Sequence, residues 1–227
     1  MIADIQTLKT ILLNTKKASV VDFDPTSEKL FQVSFQKING ELTLDVIADI
    51  HKFSDWVDAK RINSGSKFGI GGYDEYREIY GVSSHFDTGE EPRRLHLGID
   101  IWGPAGTVIY APIDGVVHSF KNNDNFGDYG PTIILKHQVE GFEFYSLYGH
   151  LSLESLAGLA EGMHINAGQK IASLGDYTVN GGWPPHLHFQ LIINMEGYYG
   201  DYPGVCKLSE RDKYLANCPD PAWLLAF

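Results

Sequence analysis

The hydrophobic period of the chain changes several times, and each change marks an element. Over residues 3–14, Ile5, Leu8 and Leu12 fall at helical spacing, which predicts a short amphipathic helix before a turn-rich patch around Asp24, Pro25 and Ser27. The period then drops to two. Phe31, Val33 and Phe35 alternate with polar residues, Asn39-Gly40 offers the positive-φ pair of a tight turn, and Leu42, Leu44 and Val46 resume the alternation, so a hairpin is expected. Ile47, Ile50, Phe53 and Val57 suit one face of a second helix that fades near Lys60, ahead of the linker-like stretch Asn63-Ser64-Gly65-Ser66.

From about Lys67 to Gly200 the pattern becomes short apolar runs punctuated by glycine, among them TVIYAP, GVVHSF, PTIILKH, FEFYSLYGHL and HLHFQLII. Runs this short and this rich in β-branched and aromatic side chains read as strands. A helical interruption is expected over 153–160, entered at Ser152 and left before Gly162. The tail, with Pro203, Pro219 and Pro221, reads as irregular. The expected fold is mainly β: two packed antiparallel sheets over 67–200, a small α+β extension over 1–66, and an irregular tail over 201–227.

Charge narrows the partners. A formal net charge of -11 at pH 7 repels polyanions, which argues against nucleic acid and against diffuse binding to an anionic membrane. No stretch approaches the roughly 20 apolar residues of a membrane helix. The N-terminus lacks a basic segment followed by an apolar core and a small-residue cleavage site. The chain as it stands is therefore expected in the cytoplasm, or in the periplasm or outside the cell if a leader has been removed. Cys206 and Cys218 have no CxxC spacing, so neither a thiolate zinc site nor a disulfide scaffold is indicated, and two free thiols are expected.

Of nine histidines, those in two clusters matter: His96-Leu97-Gly98-Ile99-Asp100 and His186-Leu187-His188. Strand residues i and i+2 share a face, so His186 and His188 can enter one groove. His96 and Asp100 would stand about 13 Å apart on a straight strand, too far to share an ion with ligand bonds of about 2 Å. The backbone must bend between them, and Gly98 makes a bulge or sharp turn cheap. A His-Asp pair plus one histidine from another strand is a three-ligand set with a fourth tetrahedral position left open, the layout of a catalytic rather than a structural zinc.

A series of further motifs follows in order: Ala111-Pro112-x-Asp114-Gly115-Val116-Val117, Tyr148-Gly149-His150-Leu151, Gly168-Gln169-x-Ile171 with Gly175, and Pro185-His186-Leu187-His188-Phe189. Together with His96-x-Gly98-x-Asp100 they resemble the motif series of the bacterial lysostaphin-like (M23) zinc metallopeptidases. The resemblance implies Zn2+ held by His96, Asp100 and His188, with His150 and His186 assisting catalysis. It also implies hydrolysis of an amide bond in short peptides, in particular peptidoglycan cross-bridges or stem peptides. No HExxH occurs, so these two imidazoles are the available acid/base groups near neutral pH.

The chain departs from the pattern where Gly181-Gly182-Trp183-Pro184 precedes PHLHF, and where the FGxR region appears only as Phe68-Gly69-Ile70-Gly71-Gly72. The GGWPPHLHFQ wording resembles domains fused to larger bacterial enzymes. The alternative reading is therefore a zinc-bearing binding or regulatory domain inside the cell that cleaves nothing. A biotinyl-type carrier or phosphocarrier is a further rival, but no carrier lysine is evident and a phosphocarrier has no use for the His96-Asp100 pair. His137 reads as structural, as do the remaining histidines. Tyr129, Tyr148 and Trp183 read equally as groove or packing residues, and Arg93-Arg94 as a solvated basic pair rather than a carboxylate site.

Overall fold

The computed structural model describes residues 5–37, 40–82, 86 and 89–227. Four described elements precede the glycine-punctuated region: helix α1 (Ile5–Asn14), strand β1 (Leu30–Gln32), and helices α2 (Leu44–Ile47) and α3 (Ile50–Asn63). The strands that follow are β2 (Phe68–Gly71), β3 (Glu75–Tyr76), β4 (Arg93–His96), β5 (Ile99–Trp102), β6 (Val108–Tyr110), β7 (Gly115–Asn123), β8 (Gly130–Val139), β9 (Phe142–Gly149), β10 (His164–Ile165), β11 (Lys170–Ser173), β12 (His186–Ile192) and β13 (Val205–Lys207); helix α4 (Arg211–Asn217) comes last.

The architecture is mainly β and mainly antiparallel, as expected. An eight-stranded sheet runs in the order β1-β2-β5-β12-β9-β8-β7-β10, beside a three-stranded sheet β13-β4-β3 and a two-stranded sheet β11-β6. β12 lies between β5 and β9, with every residue buried. Its alternation sorts the side chains into two sets. Leu187, Phe189 and Leu191 join the principal core, while His186, His188 and Gln190 share the other face. Among the described residues, no helix is long and apolar enough to cross a membrane.

The second and fourth motifs clamp each other. Gly168 N donates to Ala111 O at 2.8 Å, Ala111 N donates to Gln169 O at 3.0 Å, and the Asp114 carboxylate accepts from Ala167 N at 2.7 Å. These motif residues carry architecture.

Three expectations are corrected. The hairpin over 31–46 is not formed: β1 is three residues long and pairs in parallel with β2, and Leu44–Ile47 is helical. The Thr43 side chain accepts from Val46 N at 3.3 Å, and this N-cap overrides a weak alternation. Asn39 of the expected turn lies outside the described residues. The helix expected over 153–160 is a 3-10 turn confined to Leu153–Leu156, with Ser152 bonded to the Ser155 and Ser173 hydroxyls rather than capping. The tail is not irregular: it supplies β13 and α4, and it buries Cys206, Cys218, Leu224 and Leu225. Both cysteines are free thiols.

Candidate metal centre and active site

β4 and β5 belong to different sheets, and the chain crosses between them at Leu97-Gly98. That crossing is the bend required for His96 and Asp100 to meet. Glycine is needed at residue 98 for space, because a Cβ there would lie 2.6 Å from the His188 ring and 2.9 Å from Phe189 O. Across the main sheet His188 is the register partner of Asp100 on one side and of Gly149 on the other. His150 follows directly after β9 with φ at 62°, a left-handed conformation uncommon for histidine. Three bonds fix it there: its N–H donates to Tyr129 O, its Nδ1–H to Asn180 O, and its carbonyl accepts from Gly175 N.

His96, Asp100 and His188 converge, each buried, with one donor atom from each lying within 4.8 Å of the others. The hydrogen bonds of the other ring nitrogens set the tautomers. His96 Nδ1 faces Gly72 O at 2.8 Å and must donate to it, which leaves the Nε2 lone pair directed inward. His188 Nε2 lies 2.8 Å from Gln190 Oε1, and Gln190 Nε2 donates to Pro203 O at 3.2 Å, which orients the amide; the His188 Nδ1 lone pair is thereby directed inward.

The inward-facing atoms have no proton to share. His96 Nε2 and His188 Nδ1 are 2.9 Å apart, and each is 3.3 Å from Asp100 Oδ1, a buried oxygen without a hydrogen-bond donor. A lone-pair cluster of this kind is repulsive without a cation at its centre. Two ligands on a tetrahedral zinc at about 2.0–2.1 Å stand about 3.3 Å apart, so both the donor types and their separations fit that ion. Burial works against charge on Asp100, but the Arg77 guanidinium at 2.6 Å favours it, and the carboxyl lies well below the usual carboxylate range.

His150 and His186 stand beside this cluster, their rings 4.2 Å apart. His186 Nδ1 donates to Pro184 O at 2.7 Å, and its Nε2 is 3.8 Å from Asp100 Oδ1. Its ring stacks on Trp102 at 4.0 Å with the planes 18° apart. Burial lowers His186 to about 4 and His150 well below its ordinary value, so both are neutral near pH 7. Each then offers a free Nε2 lone pair, a proton acceptor beside the cation position.

These groups line one side of a cleft of about 270 Å³. Tyr80, Phe86, Tyr129 and Trp183 wall it, so two of the three aromatics singled out from sequence line the groove. Tyr148 does not: it is buried in the main core against Phe189. Arg93 and Arg94 are not a solvated pair. Arg93 reaches the cleft with its guanidinium 5.6 Å over the Phe86 ring, and Arg94 is buried. His137 is structural, as expected, with Nδ1 on Asp114 O and Nε2 2.6 Å from Ser146 Oγ. His85 lies outside the described residues.

Sequence reading missed Arg77. It is buried, with Nη1 2.6 Å from Asp100 Oδ2 and 3.0 Å from the Tyr80 hydroxyl, and Nε 2.7 Å from Glu75 Oε2. No short motif marks it: residues 75–81 read EYREIYG and carry no periodic or spacing signal. Gln190, the partner of His188, was readable only as the residue two beyond it on one strand face.

A buried His2Asp cluster has the donor set of a metal site, and two neutral imidazoles stand at its side. Residues 94–198, a little under half of the chain, match the sequence model of peptidase family M23. It is 40% identical over 101 residues to the DD-carboxypeptidase/endopeptidase Mpg of Neisseria meningitidis serogroup B, a match covering 44% of this chain and 21% of that protein. It is 34% identical over 122 residues to the peptidoglycan DD-endopeptidase ShyA of Vibrio cholerae, covering 49% of this chain and 25% of that one. The chain thus spans about a fifth to a quarter of the length of these curated relatives. The catalytic domain of lysostaphin from Staphylococcus simulans superimposes with a TM-score of 0.42 at 21% identity, over 71% of this chain and 96% of that one.

Proposed function

We propose that this chain is a zinc-dependent endopeptidase that hydrolyses an amide bond in peptidoglycan peptides, with His96, Asp100 and His188 as metal ligands and His150 and His186 as catalytic residues. The observation that carries the reading is Asp100 Oδ1, a buried carboxylate oxygen that faces two ligand-type nitrogens at 3.3 Å and no donor. The family match over 94–198 and relatives that are peptidoglycan DD-endopeptidases support the substrate class.

When bound, zinc would acidify a water and polarise the scissile carbonyl. The protein's own part follows from its tautomers. His150 and His186 both have their Nδ1–H committed to backbone carbonyls, so each meets the reactants with a bare Nε2. Such a nitrogen takes a proton first and donates one only afterwards. One of the pair therefore removes the proton of the attacking water and, once charged, can hand it to the leaving amine. The aromatic wall of the cleft holds the peptide and excludes water.

The test couples metal analysis to hydrolysis of purified muropeptides. His188→Ala is expected to lose both zinc and turnover. His150→Ala is expected to keep stoichiometric zinc while turnover falls by about 10²-fold or more. Retained turnover in His150→Ala, or wild-type protein that holds zinc and cleaves no muropeptide, refutes the reading. The latter result would favour the non-cleaving binding domain.

A further inference from the structure

We propose that residues outside the family-matched segment, Ser34, Phe35, Glu75 and Arg77, form a relay of positioning residues that fixes Asp100 so that Oδ1 alone is presented to the cation. The proposal rests on the metal-site reading given above and extends it to the N-terminal part of the chain.

The relay is continuous. Just past β1, Ser34 Oγ donates to Glu75 Oε1 at 2.6 Å and Phe35 N donates to the same oxygen at 3.1 Å. The other oxygen, Glu75 Oε2, accepts from Arg77 Nε at 2.7 Å, and Arg77 Nη1 donates to Asp100 Oδ2 at 2.6 Å. Glu75, Arg77 and Asp100 are all buried. The guanidinium carbon also sits 5.4 Å over the Phe35 ring, so the segment that holds the glutamate covers the arginine as well.

Two features give the arrangement a purpose beyond burial. A carboxylate has two equivalent oxygens and can bind an ion through either or both. Here Oδ2 is engaged by Arg77, and Oδ1 is left bare among the ligand nitrogens. The arginine itself is held at one geometry by Glu75, so the torsion of Asp100 is set from a distance.

The backbone has made room for the relay. A Cβ on Gly72 would lie 1.8 Å from Arg77 Nη2 and 2.9 Å from His96 Nδ1, and a Cβ on Gly71 would lie 2.0 Å from Val33 O. The departure from FGxR at Gly71-Gly72 is therefore what admits both the N-terminal segment and the arginine. In place of an arginine at residue 71, the buried guanidinium comes from Arg77, the residue just past β3.

The same segment braces the second half of the site. The Phe35 ring meets Trp102 edge-on at 5.3 Å, and Trp102 is the ring stacked on His186. Residues 34–35 thus touch, through one intermediary each way, both a metal ligand's partner and an acid/base histidine.

The experiment measures the zinc dissociation constant of the full chain by competition with a chromophoric chelator, with the visible spectrum of the cobalt-substituted protein as a geometric readout. Arg77→Met is expected to weaken zinc binding by about 10- to 100-fold, the range for loss of a ligand's partner, and to change the cobalt spectrum. Arg77→Lys, which keeps the charge but not the fork, should recover part of the loss. Glu75→Gln should weaken binding less, and should add nothing in the Arg77→Met background, because both act through one contact.

Were Arg77→Met insoluble, Glu75→Gln and the mild Ser34→Ala decide by the same affinity. Folded Arg77→Met and Glu75→Gln proteins with zinc affinity within about twofold of wild type, and an unchanged cobalt spectrum, would overturn the relay. A wild type that binds no zinc removes the metal reading and this proposal together. A wild type that binds zinc but cleaves no muropeptide refutes only the proposed activity, since the affinities still decide the relay.

Discussion

Among the described residues, five histidines are buried and tied by one ring nitrogen to a fixed acceptor, and four of them gather at the candidate site. His96, His150, His186 and His188 commit one N–H to a carbonyl or side-chain amide oxygen and leave the second nitrogen without a protein donor. His137 commits both: Nδ1 donates to Asp114 O, and Nε2 meets Ser146 Oγ, which itself lies 3.1 Å from the Tyr148 hydroxyl. What the second nitrogen faces separates a ligand or base from a structural histidine. His137 also gives an acid-stability prediction independent of metal. Burial lowers it to about 4 from 6.5, so between those values the unfolded chain takes up a proton that the folded chain refuses. Its contribution is therefore complete above about pH 6.5 and is lost as pH falls towards 4, at about 1.4 kcal/mol per pH unit at most. In the presence of chelator, the urea midpoint of wild type should fall more steeply between about pH 6.5 and 5 than that of His137→Gln. Equal slopes would show that His137 is not held neutral by the fold.

At the scale of elements, the site depends on a sheet change made within five residues, from His96 at the end of β4 to Asp100 in β5. Gly98→Ala puts a methyl carbon 2.6 Å from the His188 ring, which cannot retreat while Gln190 holds its far nitrogen. The substitution should preserve the circular dichroism spectrum and weaken zinc binding by about tenfold or more. An alanine variant with wild-type affinity would mean that the crossing has slack. This bend was legible in the sequence because it is local: two ligands four residues apart with a glycine between them admit few geometries. The pair on β12 was legible for the same reason, through the period of two. Arg77 was not, since its meaning lies in Asp100, 23 residues on, which meets it only once β3, β4 and β5 are assembled. The expected hairpin failed in another way. An alternation of a few residues is weak evidence, and a single threonine cap, Thr43, turned its second half into a helix. Proline in the tail signalled irregularity, but burial of Cys206, Cys218 and Leu224 fixes that segment from the other side of the fold.

Across the whole molecule, the matched segment 94–198 does not close its own core. Leu8 and Leu12 from α1, Val20, Val21 and the C-terminal Leu224 and Leu225 pack in one cluster with Ile99, Leu187 and Phe189, the apolar face of the strand that carries His186 and His188. Lys17 Nζ donates to Leu12 O at 2.9 Å and to Trp223 O at 2.8 Å, joining the two ends of the chain. If the flanks are part of one cooperative unit, a defect at α1 must appear as a loss of stability everywhere, including in β12. Leu12 is fully buried, so Leu12→Ala should cost about 2–5 kcal/mol of unfolding free energy. Urea unfolding of the metal-free protein should remain a single transition, with tryptophan fluorescence and far-ultraviolet circular dichroism moving together. Zinc should raise the midpoint of both wild type and Leu12→Ala, because a ligand that binds only the folded state stabilises whatever forms its site. Two separated transitions, with only the earlier one shifted by Leu12→Ala and only the later one shifted by zinc, would show that the N-terminal helix is an appendage to a core that stands without it.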